Sequence, residues 1–121
     1  MLTKAQLSTL LHSISGLNVG EGEHFFASAG SYPKVAYWET VWTDDMASGD
    51  DYEVIVTYQI SFASLRPRDP ALLSLKDKLN AAGEHPTMYH EYVAATESPG
   101  YFHTYMSIDL LEELEVPDGG S

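Results

Sequence analysis

The sequence has no cysteine, which excludes disulfide bonds, thiolate metal sites and cysteine nucleophiles. No apolar run approaches the roughly 20 residues of a membrane span, and the amphipathic N-terminus lacks the continuous apolar stretch of a signal peptide. We therefore expect a cytoplasmic protein that is held together by packing alone. At 121 residues, the chain should form one domain with a single core.

Basic side chains are scarce, since 6 Lys and Arg accompany 18 Asp and Glu and give a formal net charge of -12. Such a surface repels phosphate backbones, so direct DNA binding is not expected. The acidic residues gather in two regions, which contain Asp44, Asp45, Asp50, Asp51 and Glu53, and Asp109, Glu112, Glu113, Glu115 and Asp118. Much of the negative charge is therefore concentrated in these two segments.

Two segments have helical periodicity. Thr3 and Gln6 form a T-x-x-Q capping box, and Gly16 is placed to end the helix that follows. Asp69 followed by Pro70 marks the start of a second helix. Gly83 would end that helix. The apolar stripes of the two helices are Leu7, Leu10, Leu11 and Ile14, and Leu72, Leu75, Leu79 and Ala82.

Four segments are predicted to be β-strands. Residues 34–43 and 52–64 should form a hairpin around the first acidic region, and residues 87–94 and 101–110 a hairpin around the turn TESPG. A period-two apolar stripe runs through the second strand and consists of Tyr52, Val54, Val56, Tyr58, Ile60 and Phe62. The glycine-rich stretch 18–31 is predicted to be a loop with room for one short strand.

The order helix, two strands, helix, two strands predicts an α+β fold. We expect an antiparallel sheet of about four strands with two helices packed on one face. This single domain should span residues 1–114, and residues 115–121 should be a disordered acidic C-terminal tail.

The strand KVAYWETVW has no polar face. In an extended strand, alternate side chains point to opposite faces, so Trp38 and Trp42 should share one face. If the two helices cover the stripe of the next strand, Tyr101 and Tyr105 remain with the tryptophans on the uncovered face. Tyr and Trp with few charges are typical of an interface core, which predicts self-association. The alternative is that the segment HFFASAG covers this face within the monomer.

Residues with potential chemistry are few. His90, Glu91 and His103 could meet across the last hairpin and hold zinc or iron in principle, although such histidines are more often plain surface residues. The acidic loop lacks the calcium-loop pattern, and no G-x-S-x-G or H-E-x-x-H motif occurs. Arg66 and Arg68 flank the second helix start and could pair with a partner's acidic surface. We predict neither a cofactor nor enzymatic activity.

Four segments in order carry a resemblance to a known family: YPKVAYWETVWTDD, DDYEVIVTYQISFAS, DPALLSLKDKLNAAG and YVAATESPGYFHTYMSIDLLEEL. From Thr3 to Leu114 the chain resembles the tail terminator, or tail-completion, proteins of long-tailed bacteriophages. The resemblance lies in the order and spacing of the elements. The stretch from Asn18 to Ser31 does not align with it.

The resemblance implies a structural virion protein that assembles as a ring, usually a hexamer, on the finished end of the tail tube. There it would stop tube growth and join the tail to the head. Its partners would be other copies of itself, the major tail-tube protein and the head-tail connector or stopper protein. DNA would pass through the ring without specific binding, and the ring would assemble in the host cytoplasm and reside in the neck of the virion.

Two sets of residues are predicted to make contacts in such a ring. The subunit interface should contain Trp38, Trp42, Tyr101, Tyr105, Arg66 and Arg68. The loop with Asp44, Asp45, Asp50 and Asp51 should face the lumen or a neighbouring ring. Alternatives are another neck component such as a stopper, an acidic module that mimics DNA with carboxylates along an exposed ridge, and a small metal-dependent enzyme that uses the last hairpin.

Overall fold

The computed structural model describes residues 1–28, 31–44, 53–94 and 100–114. Within these ranges the elements are α1 (Lys4–His12), β1 (Asn18–Glu21), α2 (Glu23–Ala27), β2 (Lys34–Asp44), β3 (Glu53–Ser64), α3 (Pro70–Ala81), β4 (Tyr89–Val93) and β5 (Tyr101–Glu113). The strands form one mixed sheet in the order β1-β2-β3-β5-β4.

The α+β class is confirmed, but the expected sheet of about four antiparallel strands with two helices is wrong. β1 adds a fifth strand that runs parallel to β2, and α2 adds a third helix. Both additions come from the glycine-rich stretch 18–31, which was predicted to be a loop with room for one short strand; β1 is such a strand, whereas α2 was not predicted. The predicted tail at 115–121, most of the TESPG turn and Tyr52 lie outside the described residues.

The two predicted helices begin where their caps are. Thr3 Oγ1 accepts from the backbone N–H of Gln6 at 3.1 Å, and the backbone N–H of Thr3 donates to Gln6 Oε1 at 2.9 Å, which completes the capping box of α1. At α3, Asp69 Oδ1 accepts from the N–H of Ala71 at 2.9 Å. These bonds satisfy backbone donors that a helix start leaves free.

The core lies between these two helices and one face of the sheet. We call this face, which carries Val56 and Tyr58 of β3, the helix face, and the opposite face, which carries Thr57 and Gln59, the second face. The period-two stripe of β3 is buried from Val54 to Phe62, as predicted. Each fully buried aliphatic side chain of this kind contributes roughly 1.5–3 kcal/mol relative to exposure.

The second face is covered at one end by α2. Parallel neighbours such as β1 and β2 need a crossover connection of about a dozen residues, and α2 lies in that connection. The ring of Phe25 packs directly on Gly20 of β1, where an added Cβ would lie 2.2 Å from a ring carbon. Phe26 packs near Trp38 of β2, with ring centroids 6.3 Å apart. The segment predicted as the alternative cover therefore does cover part of this face within the monomer.

A β-bulge in β2 changes which face its last residues occupy. Glu39 pairs with Tyr58 and Val41 pairs with Thr57, so Thr40 is the extra residue without a partner. Directly paired residues point to the same face. Trp38, opposite Gln59, therefore lies on the second face, whereas Trp42, opposite Val56, lies on the helix face. The prediction that the two tryptophans share a face is wrong.

Tyr58 anchors the far end of β5 to the core. Its hydroxyl donates to Glu112 Oε2 at 2.8 Å. Burial raises the pKa of Tyr58 above its ordinary value, and the contact with the Glu112 carboxylate raises it further. The folded protein therefore keeps this phenol neutral at a pH where the unfolded chain already ionises it.

We expect Tyr58→Phe to lower the free energy of unfolding at neutral pH by about 1 kcal/mol, because a hydrogen bond to a carboxylate is lost. Above about pH 10, an unfolded Tyr58 loses its proton before the folded one does, so the wild-type chain loses stability as the pH rises. The phenylalanine variant should lack this part of the alkaline loss. Urea unfolding between neutral pH and pH 11 measures both effects.

The exposed Tyr89 gives a matched control, since Tyr89→Phe removes the same hydroxyl from the surface. This variant should follow the wild-type pH profile. An alkaline loss that is equal in wild-type and Tyr58→Phe proteins would show that the Tyr58 hydroxyl does not couple folding to pH.

Candidate functional site

The residues predicted for the subunit interface do not form one surface. Trp38 is half-buried beneath α2. Tyr101 lies against Tyr32, with ring centroids 5.9 Å apart, and burial raises the pKa of its hydroxyl. Tyr105 stacks on Tyr89 of the edge strand at 5.4 Å. These aromatic residues are partly covered by neighbours within the same chain.

Trp42 is the member of that set that remains open to solvent. It is 58% exposed at the end of β2. Its indole Nε1–H donates to Glu39 Oε2 at 2.7 Å, which holds the ring on the helix face beyond the helices. The ring is therefore oriented by a neighbour but leaves most of its surface available for contact.

Lys34 holds the segment after α2 against the sheet. Its side chain is buried on the second face, and its ammonium donates to the backbone carbonyl of Ser28 at 2.7 Å. The ammonium also lies 5.5 Å from the ring centroid of Phe26 and 5.2 Å from that of Tyr32, which are cation-π distances. Burial lowers the pKa of Lys34. Nothing in the sequence pattern distinguished this lysine from a solvated one.

The three residues considered for a metal site are separated by the sheet. His90 pairs with Thr104 on the helix face, and the His90 Nδ1 atom lies 2.8 Å from the Thr104 hydroxyl. Glu91 pairs with His103 on the second face, where the Nδ1–H of His103 donates to Glu91 Oε1 at 2.8 Å. Consecutive strand residues point to opposite faces, so this set cannot close around one ion. Among the described residues there is no group of three potential metal ligands.

His103 has one unusual feature. Its Nε2 atom is buried without a hydrogen-bond partner. The ring packs between Phe26, at 5.0 Å, and Tyr105, at 5.1 Å. The imidazole thus packs among the aromatic rings beneath α2, and its hydrogen bond to Glu91 fixes its position.

Arg66 and Arg68 line a cleft of about 720 Å³ between α3 and the β4–β5 edge of the sheet. Arg66 Nε forms an ion pair with Asp69 Oδ2 at 3.5 Å, and the Arg66 side chain is largely exposed. Arg68 has a positive φ of 52°, which is uncommon for a residue with a side chain. The sequence pointed to the two arginines but not to the cleft, which is created by tertiary packing.

The opposite end of the sheet is acidic and partly apolar. On the second face, Val41 and Leu111 are exposed; Leu111 lies opposite Ile55 of β3, and Val41 lies opposite Thr57 of the same strand. Glu53 of β3 lies directly opposite Glu113 of β5. Asp44 is exposed at the end of β2, whereas Asp45, Asp50 and Asp51 of the predicted loop lie outside the described residues. The described carboxylates of these strands gather at one end rather than along a ridge.

No protein-family model matches the chain, and no curated protein matches it either. Within the described part of the chain, no helix has the length and apolarity to cross a membrane. A function is therefore inferred from the surfaces of the protein and from the order of its elements.

Proposed function

We propose that this chain is the subunit of a ring that terminates the tail tube of a long-tailed bacteriophage. The ring stops tube polymerisation and joins the tail to the head connector or stopper. The observation that carries the proposal is the set of exposed apolar side chains on the sheet, which are Val41, Trp42, Tyr89, Tyr92 and Leu111. Val41, Trp42 and Leu111 lie near one end of the sheet, and Tyr89 and Tyr92 lie on its edge strand. Exposed aromatic side chains of this kind are enriched in protein contacts.

The edge strand β4 supports a lateral contact between subunits. Among the strands that the structure describes, it pairs with β5 alone. Tyr89 and Tyr92 are exposed on its two faces, and β4 contains neither Lys nor Pro, the residues that commonly protect an edge. A neighbouring subunit would cover the tyrosines and the free backbone groups together.

The charge supports a passage for DNA. A net charge of -12 repels phosphate, so a ring of such subunits lets DNA through without retaining it. In this arrangement the loop that contains Asp44 faces the lumen or a neighbouring ring. The partners are other copies of the chain, the tail-tube protein and the connector, and the site of action is the neck of the virion.

The proposal predicts that the protein self-associates into closed rings at high concentration. Exposed apolar side chains drive this association, while the negative charge opposes it, so dilute protein can stay monomeric until a tail end templates the ring. Light scattering across a concentration series measures the mass, and cross-linking on assembled tails measures the copy number. A monomer under both conditions contradicts the ring.

A stopper or another neck component would present similar surfaces and is the nearest alternative. The two functions differ in a phage that lacks the protein. Loss of a terminator gives tails of abnormal length, because nothing ends the tube, whereas loss of a stopper leaves tails of normal length that are not attached. Electron micrographs of the lysate distinguish the two outcomes.

A further inference from the structure

The cleft beside α3 is lined by basic side chains and by apolar surface, although the chain has few basic residues. Arg66, Arg68 and Lys76 line it and account for three of the chain's 6 Lys and Arg residues. Met88 and Phe102 contribute apolar surface to the same cleft. We call this site the cationic cleft. A cleft of this kind suits an occupant that is acidic and apolar at once.

A matching surface lies at the other end of the sheet of the same molecule. We call it the acidic sheet end, and it consists of the exposed Val41 and Leu111 together with Glu53 and Glu113. The two glutamates are a directly opposed pair of like charges, which is unfavourable in an isolated subunit. Cations placed beside them by another molecule would remove this repulsion.

The two surfaces cannot meet within one molecule. The cleft lies by Ser64, at the end of β3, and Glu53 is the first residue of the same strand. β3 runs from Glu53 to Ser64, so at about 3.3 Å per residue its two ends are roughly 36 Å apart. A contact between them therefore needs two copies.

We propose that the cationic cleft receives the acidic sheet end of a second copy, so that subunits join head to tail. Such a contact uses two different patches and closes into a ring when the rotation between copies permits. This inference rests on the proposed ring, and it specifies which surfaces build that ring.

Two charge-reversed proteins test the pairing. The cleft variant carries Arg68→Glu and Lys76→Glu and leaves Arg66 unchanged, since Arg66 approaches the Asp69 carboxylate that caps α3. The end variant carries Glu53→Lys and Glu113→Lys, which keeps a like-charge pair in the monomer. Lys78→Glu on α3 is the control for a single charge reversal, because it replaces a lysine of the same helix with glutamate without altering a residue that lines the cleft.

Analytical ultracentrifugation of each protein and of their equimolar mixture gives the result. Each variant alone should self-associate about 100-fold more weakly than wild type, because like charges then face each other. The mixture should recover assembly, since each cleft again meets an end of opposite charge. Lys78→Glu should assemble as wild type does, and circular dichroism should show that all the proteins are folded.

Different outcomes overturn different claims. If wild type assembles and the two variants assemble equally well, the cleft pairing is wrong while the ring stands. A mixture that remains monomeric beside an assembling wild type also overturns the pairing. If wild type itself assembles neither in solution nor on tails, the proposed ring falls, and the pairing falls with it.

Discussion

Val56→Asp is expected to prevent folding, whereas Trp42→Ala is expected to leave the fold intact and to weaken assembly. Val56 is 0% exposed at the centre of the helix face, while Trp42 on the neighbouring strand is 58% exposed. Burial shifts the pKa of a carboxyl group by up to about 3–5 units, which corresponds to about 4–7 kcal/mol. This cost is comparable to the entire stability of a typical domain, about 5–15 kcal/mol.

Trp42→Ala should lower the free energy of unfolding by no more than about 0.5 kcal/mol, because most of the side chain is exposed to solvent. Trp42 lies at the same end of the sheet as Leu111 and Glu53, so a subunit that docks there would cover its ring. An interface tryptophan is commonly worth about 2 kcal/mol or more, so its loss should weaken self-association about 30-fold. Thermal unfolding and sedimentation measure the two effects separately.

Val56→Ala serves as the control for the core position. It removes the same side chain without adding charge and should lower the free energy of unfolding by about 2 kcal/mol while the protein still folds. If Trp42→Ala lowers the melting temperature as much as Val56→Asp does, then Trp42 belongs to the core and is not an interface residue.

The parts of the fold that sequence could predict are those set by local chemistry. The capping box of Thr3 and Gln6 and the Asp69-Pro70 start both place their helices correctly, because each involves residues only a few positions apart. The alternation from Val54 to Phe62 likewise identified the central strand and its buried face. Alternation over a run of this length is typical of an extended segment with one side in a core.

The additions at residues 18–27 depended on long-range packing. β1 is four residues long and α2 is five, so neither has a periodic pattern long enough to recognise. Their stability comes from pairing with β2 and from the contact of Phe25 with Gly20. Gly20 contributed to the prediction of a loop, but in the structure the ring of Phe25 occupies the space that a Cβ at this position would need.

The candidate site was predicted less completely than the fold. The bulge at Thr40 moves Trp42 to the other face. Such a bulge shifts the phase of the alternation, but this strand has apolar residues on both faces, so the shift cannot be seen in its sequence. The alternation of faces also separates His90 from Glu91 and His103, although they are close in sequence or across the hairpin. Arg66 and Arg68 were identified, but Lys76, Met88 and Phe102 join them only when α3 packs beside β4 and β5.

A phage that lacks this protein is expected to make filled heads together with abnormally long or unjoined tails. A tube of identical stacked rings has no intrinsic end, because each added ring recreates the surface that the next one needs. A different subunit must therefore present one face that fits the tube and another that does not. In the proposed ring, one side of this subunit would fit the tube and the other side would fit the head connector or stopper.

The length distribution of tails in such a lysate, measured by electron microscopy, tests this function most directly. A lysate in which the wild-type protein is supplied in trans is the control, and it should show tails of one length attached to heads. Without the protein, we predict a broad distribution that extends to tails longer than those of the control, with filled heads that carry no tail. Tails of normal length joined to heads in the absence of the protein would contradict the terminator function.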